Sequence, residues 1–322
     1  MMEQTLVQLP SSAQLLELFV QDCRDREMTE GSIQSYRSVL KHFFEFLKNR
    51  GVSPYKADKQ VFIEYLRYRK TEQVRQKHVG QKTIENNFTV LSSFYEYLTF
   101  QEYVEKNPVI GVQKRYLRHY KSENDVDAEV QRKLISVEDM SMLINSILDT
   151  RDRAILTVLA KSGVRRGELI AMDVDDIDWA EQSITLKKFK KRSGRVVFFD
   201  DETARILKRW LTQRKTLNLS TTALFTGEHG ERLRRHGVSH AVEKYAEKVG
   251  LHNPNSPRME DHFSAHCCRH WFTTHLRRAG MDREFIKALR GDRRREAIDI
   301  YDRIDKNELR TAYLAFIPQL GL

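Results

Sequence analysis

The stretch His266–His270 reads HCCRH, and AIDIYDRID at 297–305 then places a tyrosine, Tyr301, well beyond it. Upstream, GVRRGEL at 163–169 sets Arg165 and Glu168 directly after an apolar helical pattern. Two guanidinium groups, an imidazole and a separate phenol suit attack on a phosphodiester without a metal. Arginines take up the charge of non-bridging oxygens, and a tyrosine oxygen supplies the nucleophile.

Within HCCRH, His266 and Arg269 lie three apart on an expected helix and face the same side. One is placed to handle a proton while the other binds an oxyanion. His270 and His275 are expected to face the core or to support the site. His262, His266 and His270 also repeat at four beside two cysteines, but no distant ligand pair accompanies them, so no metal is expected. Arg165 offers a planar fork to a phosphate, with Glu168 close enough to hold it. Taken alone, that heptapeptide reads equally as a surface Arg–Glu pair. Tyr301 sits in an amphipathic segment between Ile298 and Ile304, where a packing tyrosine is the alternative among 12 in the chain.

Working outward, Ser183–Leu186 and Arg195–Phe199 read as two strands joined by the basic turn KKFKKRSG. Lysines 187, 188, 190 and 191 all lie in or beside that turn, where one can reach a DNA groove and protonate a leaving oxygen. Composition does not choose among them. Helices are expected at 138–148 and 151–161, with Ser136 and Asp139 as a capping box and Ser162-Gly163 as a stop. Further helices are expected at 201–214, 237–249, 265–279, 282–289, 294–302 and 306–316. In the first 110 residues, Ile33, Tyr36, Leu40, Phe43 and Leu47 step by three and four, as do Ile84, Phe88, Leu91, Tyr95 and Leu98. Shorter helices around Leu15–Phe19 and Val61–Tyr68 complete a small bundle. Arg75, Lys77 and Lys82 beside its last helix are possible phosphate contacts, though a solvated face explains them too.

These elements predict a mainly α fold with a small β-sheet in two domains. A helical DNA-binding bundle spans 11–110, a polar linker 111–133, and a mixed α/β catalytic domain 134–322. The chain of 322 residues is long enough for two cores. With 40% hydrophobic and 31% charged residues it reads as globular, and no apolar run approaches the ~20 residues of a membrane span. MMEQTLVQLPSS lacks the pattern of a signal peptide. Three cysteines, two of them adjacent, do not make a disulfide framework, so a reducing interior is expected. Net charge is +10, with 19 basic and 14 acidic residues in 1–122 and 36 and 31 in the rest, so both halves are mildly basic. That distribution suits a clamp touching DNA from two sides.

Together these pieces resemble the tyrosine recombinase (phage integrase) family over nearly the whole chain. GVRRGEL matches its first-arginine box and implies Arg165 and Glu168. HCCRH matches its HxxRH box and implies His266 and Arg269, with Cys268 in place of the usual leucine. KRSGRVVFF resembles its lysine hairpin, and counting back from Arg195 selects Lys190. Tyr301 falls at the nucleophile position. The resemblance implies a SAM-like core-binding bundle and a recombinase catalytic domain forming a two-domain clamp. Where the family usually reads LGH, this chain reads LRGD, so Asp292 replaces a phosphate-contacting histidine or tryptophan. Because a carboxylate repels phosphate, Asp292 is expected to cap a helix beginning at Arg293, or else to orient a neighbour. Arg290, Arg293, Arg294 or His270 would then supply the missing contact. RGD…EAIDIYDRID also resembles archaeal integrases, including those of haloarchaeal viruses.

The implied activity is site-specific recombination through a 3′-phosphotyrosyl intermediate on Tyr301, integrating or excising a viral or mobile element. Arg165, Lys190, His266 and Arg269 assist, with neither metal, ATP nor other cofactor. Double-stranded DNA is the expected partner, bound by a homotetramer on paired sites, in the cytoplasm at the nucleoid. No membrane or small-molecule partner is expected. Leu309, Tyr313, Phe316 and Leu320 would dock on a neighbouring copy or pack on their own domain. Two other functions use the same residues: strand relaxation of the type IB topoisomerase kind, and DNA binding by a regulator that has lost catalysis.

Overall fold

Ser11 opens the first helix by a reciprocal capping box with Gln14, and Thr29 and Asp58 cap the next two long helices through their side-chain oxygens. The computed structural model of the protein describes residues 9–74, 77–117, 134–187, 194–217, 219–256, 258–292 and 304–322. It divides into two compact units, Met1–Asp127 and Ala128–Leu322.

The first unit holds α1 (Ser12–Asp25), α2 (Glu30–Asn49), α3 (Lys59–Thr71) and α4 (Gln81–Phe100). The apolar stripes read from the sequence form its core: Ile33, Leu40, Phe43 and Leu47 of α2 and Ile84, Phe88, Leu91, Tyr95 and Leu98 of α4 are buried, with Tyr36 packed alongside. Aromatic rings dominate, Phe43 stacking on Phe62 at 5.3 Å between centroids and meeting Tyr65 edge-on at 5.0 Å. A two-stranded ribbon, β1 (Gln73–Val74) and β2 (Lys77–His78), joins α3 to α4. Strands of two residues carry no readable alternation, which is why the sequence did not announce them. The start of the expected linker is helical: α5 (Val109–Val112) runs on as a π-type turn to Leu117, and Val109 and Val112 are buried in this unit's core. The remainder of that stretch, 118–133, lies outside the described residues.

In the second unit Ser136 and Asp139 form the expected capping box at the head of α6 (Val137–Asn145). Next comes α7 (Thr150–Ser162), buried along nearly its whole length with the polar Asp152, Thr157, Lys161 and Ser162 included, and α9 (Asp201–Thr216) and α11 (Ala265–Ala279) pack against it. Between them lie the short α8 (Arg166–Ala171) and an antiparallel sheet in the order β3 (Ile177–Asp178), β4 (Ser183–Leu186), β5 (Arg195–Phe198), with Ile184 facing both Ile177 and Val197. Then follow α10 (Arg235–Lys248), α12 (Arg283–Arg290) and α13 (Lys306–Phe316). The helix expected at 294–302 lies outside the described residues. Among the described residues no helix is long and apolar enough to cross a membrane.

The C-terminal segment folds onto its own unit. Tyr313 and Leu320 are buried in its core, and Leu309 and Phe316 pack against it. Beneath them the Lys161 ammonium, 0% exposed, touches Asp200, Glu202 and the Pro318 carbonyl, each at 2.6 Å. Glu202 in turn accepts the backbone N–H groups of Leu320, Gly321 and Leu322. A buried lysine flanked by two carboxylates meets the requirement that interior charge be paired.

Candidate active site

Gly163 ends α7 with φ +60°, the left-handed turn that glycine adopts without strain. A Cβ there would lie 2.3 Å from the Phe272 ring of α11, so the missing side chain also lets the two helices approach. That approach brings the Gly163 carbonyl within 2.7 Å of an Arg269 Nη, which donates to it. Arg269 is 4% exposed, while His266, one turn earlier on α11, is exposed. His270 is exposed too, which excludes the core side of its expected roles: four residues beyond His266, it shares that residue's outer side of α11. His275 is half-buried, its Nε2 lying 3.1 Å from the Ile135 carbonyl rather than at the arginine cluster. Cys268, standing for the family's leucine, is fully buried and acts as a small apolar residue.

Arg165 occupies the N-cap position of α8, and its backbone N–H donates to Glu168 at 2.7 Å. Its guanidinium also reaches Glu168, at 3.3 Å. Glu168 is buried and held chiefly by Arg195 at the start of β5, through two hydrogen bonds of 2.8 and 3.0 Å. Burial opposes ionisation of Glu168, but the Arg195 hydrogen bonds, the Arg165 N–H and the two guanidinium charges outweigh it and bring its pKa to about 2.

The C-terminus of α12 is a receptor for three arginines. Its Leu289 carbonyl accepts from Arg195 Nε at 2.9 Å, and its Arg290 carbonyl accepts from Arg165 at 3.0 Å and Arg269 at 2.9 Å. Unpaired carbonyls at the negative end of a helix are suited to cations. Gly291 follows with φ +61°, and a Cβ on it would lie 2.7 Å from an Arg195 Nη, so only glycine lets that arginine through.

Asp292 completes the cluster. One of its oxygens accepts from Arg165 at 3.1 Å and from Arg269 at 3.0 Å, and the other lies 3.0 Å from Arg290 Nε. The helix it was expected to cap lies outside the described residues; its carboxylate faces the arginines. Burial and then the charges of Arg165 and Arg290 lower the Arg269 pKa to about 9, while Asp292 and Glu168 pull it back up. Arginine at that value keeps its charge at neutral pH. Arg165 and Arg269, 104 positions apart in the chain, therefore converge on a single anionic oxygen.

A model of the phage integrase family matches residues 127–308, and one of its N-terminal SAM-like domain matches 15–105. The chain belongs to the phage integrase family. Its activity class is that of a tyrosine site-specific recombinase, breaking and rejoining DNA strands. Similar family members include tyrosine recombinase XerC of Haemophilus ducreyi, 27% identical over 295 residues, covering 92% of this chain and 91% of that protein. XerC of Thermodesulfovibrio yellowstonii is likewise 27% identical, covering 88% of each. Among solved structures, the XerH recombinase in a post-cleavage complex with a palindromic difH substrate matches at TM-score 0.66 and 20% identity, covering 95% of this chain and 82% of that one. A lambda integrase (75–356) dimer bound to a COC' core site matches at TM-score 0.64 and 15% identity, covering 91% and 98%. At these identities the two structures speak for the fold.

Against this integrase framework, the structure brings Arg165, Glu168 and Arg269 together and sets His266 on the same helix as Arg269. Lys188, Lys190, Lys191, Arg293, Arg294 and Tyr301 lie outside the described residues. Of the rival lysines, Lys187 pairs with Asp173 and with Asp176, the latter at 3.2 Å. In the first unit Lys82 is exposed and pairs with Glu85 at 3.2 Å. Sequence reading missed the grip of Arg195 on Glu168. The available signal was a lone arginine opening an otherwise apolar strand.

Proposed function

We propose that this recombinase cleaves one DNA strand at a time with Tyr301 as nucleophile, supported by Arg165, Lys190, His266 and Arg269. The Tyr301 oxygen attacks the scissile phosphorus, a new O–P bond forms, and the bond to the 5′ oxygen breaks, leaving a 3′-phosphotyrosyl enzyme. His266 assists the proton leaving the phenol, and Lys190 delivers one to the departing 5′ hydroxyl. Arg165 and Arg269 hold the non-bridging oxygens, where negative charge grows in the transition state. A 5′ hydroxyl of the partner duplex then reverses the step, which conserves the bond energy and asks for neither nucleotide nor metal.

The observation that carries this reading is the convergence of Arg165 and Arg269 on one anionic oxygen, at 3.1 and 3.0 Å. That position has the charge and donor geometry a phosphodiester needs. The biological setting we assign is integration or excision of a viral or mobile element, by four copies on paired duplex sites at the nucleoid. The core-binding unit and the catalytic unit would grip the duplex from two sides. Counterion release by such a clamp makes affinity fall steeply with salt.

The test uses nicked suicide duplexes spanning the element's junction, located by its flanking direct repeats. The wild-type chain becomes attached to DNA through Tyr301, as mass spectrometry of the digested adduct reads out. Tyr301→Phe retains DNA affinity within about two-fold and loses attachment altogether, since no other group supplies that oxygen. Attachment by the Phe variant would overturn the assignment.

A further inference from the structure

Asp292 stands where repulsion of phosphate argues against an acid, yet its carboxylate is the group that the two arginines hold. One oxygen accepts from Arg165 and Arg269 at 3.1 and 3.0 Å, and the other lies 3.0 Å from Arg290 Nε as a charge contact without hydrogen-bond geometry. Two oxygens on one centre facing such a cluster reproduce what the non-bridging oxygens of a phosphodiester would present.

We infer that Asp292 is a tethered occupant of the phosphate subsite: in the free protein its carboxylate fills the anion position between Arg165 and Arg269, and the DNA phosphate displaces it on binding. This rests on the assignment of those two arginines to the scissile phosphate. Three observations support displacement over a supporting role. The arginines are oriented without Asp292, Arg269 by the Gly163 and Arg290 carbonyls and Arg165 by Glu168 and the Arg290 carbonyl. The backbone of Asp292 is held independently of its side chain, its N–H donating to the Lys287 carbonyl at 3.1 Å beside the Gly291 N–H to Ala288 at 3.1 Å. Its side chain is 29% exposed, so rotation about its own bonds carries the carboxylate into solvent while the helix end stays in place.

Charge gives the exchange its purpose. Arg165, Arg195, Arg269 and Arg290 face Glu168 and Asp292 in this cluster. A phosphodiester monoanion entering as the carboxylate leaves preserves that balance. A tethered carboxylate competes at high effective concentration. Free phosphates in solution therefore lose to it, whereas a phosphate delivered by a duplex docked along the whole protein wins. The apparent affinity for an untethered phosphate is lowered by the fraction of time the subsite is filled.

The experiment titrates the full chain with inorganic phosphate at fixed ionic strength in a calorimeter, comparing wild type with Asp292→Asn and Asp292→Ser. Both variants are expected to bind phosphate about ten-fold tighter or better, as removal of a competitor requires. Arg269→Lys placed on Asp292→Asn is expected to cancel the gain. Unchanged or weaker phosphate binding by the two folded variants, checked by their melting, overturns the inference, because removal of a competitor must raise affinity. Two variants keep the result readable if one fails to fold. Suicide-duplex cleavage by Arg269→Ala separates the two assignments. If cleavage depends on Arg269 while phosphate affinity ignores Asp292, only the tethered occupant falls. If cleavage ignores Arg269, the reading of the site falls with it.

Discussion

Arg195 at the start of β5 and Glu168 on α8 are joined by two hydrogen bonds of 2.8 and 3.0 Å, and the same arginine donates to the Leu289 carbonyl at 2.9 Å. One guanidinium thus ties β5 to the helix carrying Arg165 and to the helix end that orients Arg165 and Arg269. The Arg165–Arg269 cluster is braced by a third arginine, whose guanidinium is taken up by Glu168 and the Leu289 carbonyl.

Glu168→Gln tests that tie through its dependence on pH. The folded pKa of about 2 lies below the ordinary value of 4.5, so ionised Glu168 stabilises the fold fully above about pH 5. That contribution is lost as pH falls through 2. Wild type is expected to exceed the Gln variant by about 3 kcal/mol at neutral pH, with the difference vanishing in strong acid. Urea midpoints measured from pH 7 down to pH 2 check this. A difference independent of pH would show that lost packing rather than ionisation is at work.

Gly163→Ala combines two costs. A left-handed φ of +60° strains alanine, and its Cβ would meet the Phe272 ring at 2.3 Å. Together these are expected to remove about 2–4 kcal/mol of stability. Relief requires α7 and α11 to separate, which takes the Gly163 carbonyl away from Arg269. Cleavage of a suicide duplex is then expected to fall by about 100-fold even where the variant is folded.

Lys161→Met leaves Asp200 and Glu202 buried without their cation. A loss of about 3–5 kcal/mol is expected from chemical denaturation. The amides of Leu320, Gly321 and Leu322, which donate to Glu202, should exchange faster with solvent in the variant. Adding Asp200→Asn and Glu202→Gln should recover much of the loss, because a neutral site no longer asks for a counterion.

The sequence by itself determined the helices, since α2, α4, α9, α11 and α13 carry apolar residues at helical spacing or caps that need only local neighbours. Ser136 with Asp139 and Ser162 with Gly163 are legible because their partners lie within a turn. It also marked β4 and β5 through β-branched and aromatic residues, and it singled out Arg165, His266 and Arg269 by their boxes. Tertiary structure alone decided what those side chains meet. The contacts of Arg269 with Gly163, of Arg195 with Glu168 and Leu289, and of Lys161 with Asp200, Glu202 and Pro318 span from 27 to 157 positions. Burial of a charge has no period along the chain, because it depends on which opposite charges and carbonyls the packed helices bring to it. Asp292 shows this most directly: that its carboxylate meets Arg165 and Arg269 is set by the meeting of α7, α8, α11 and α12 and by no neighbour in the sequence.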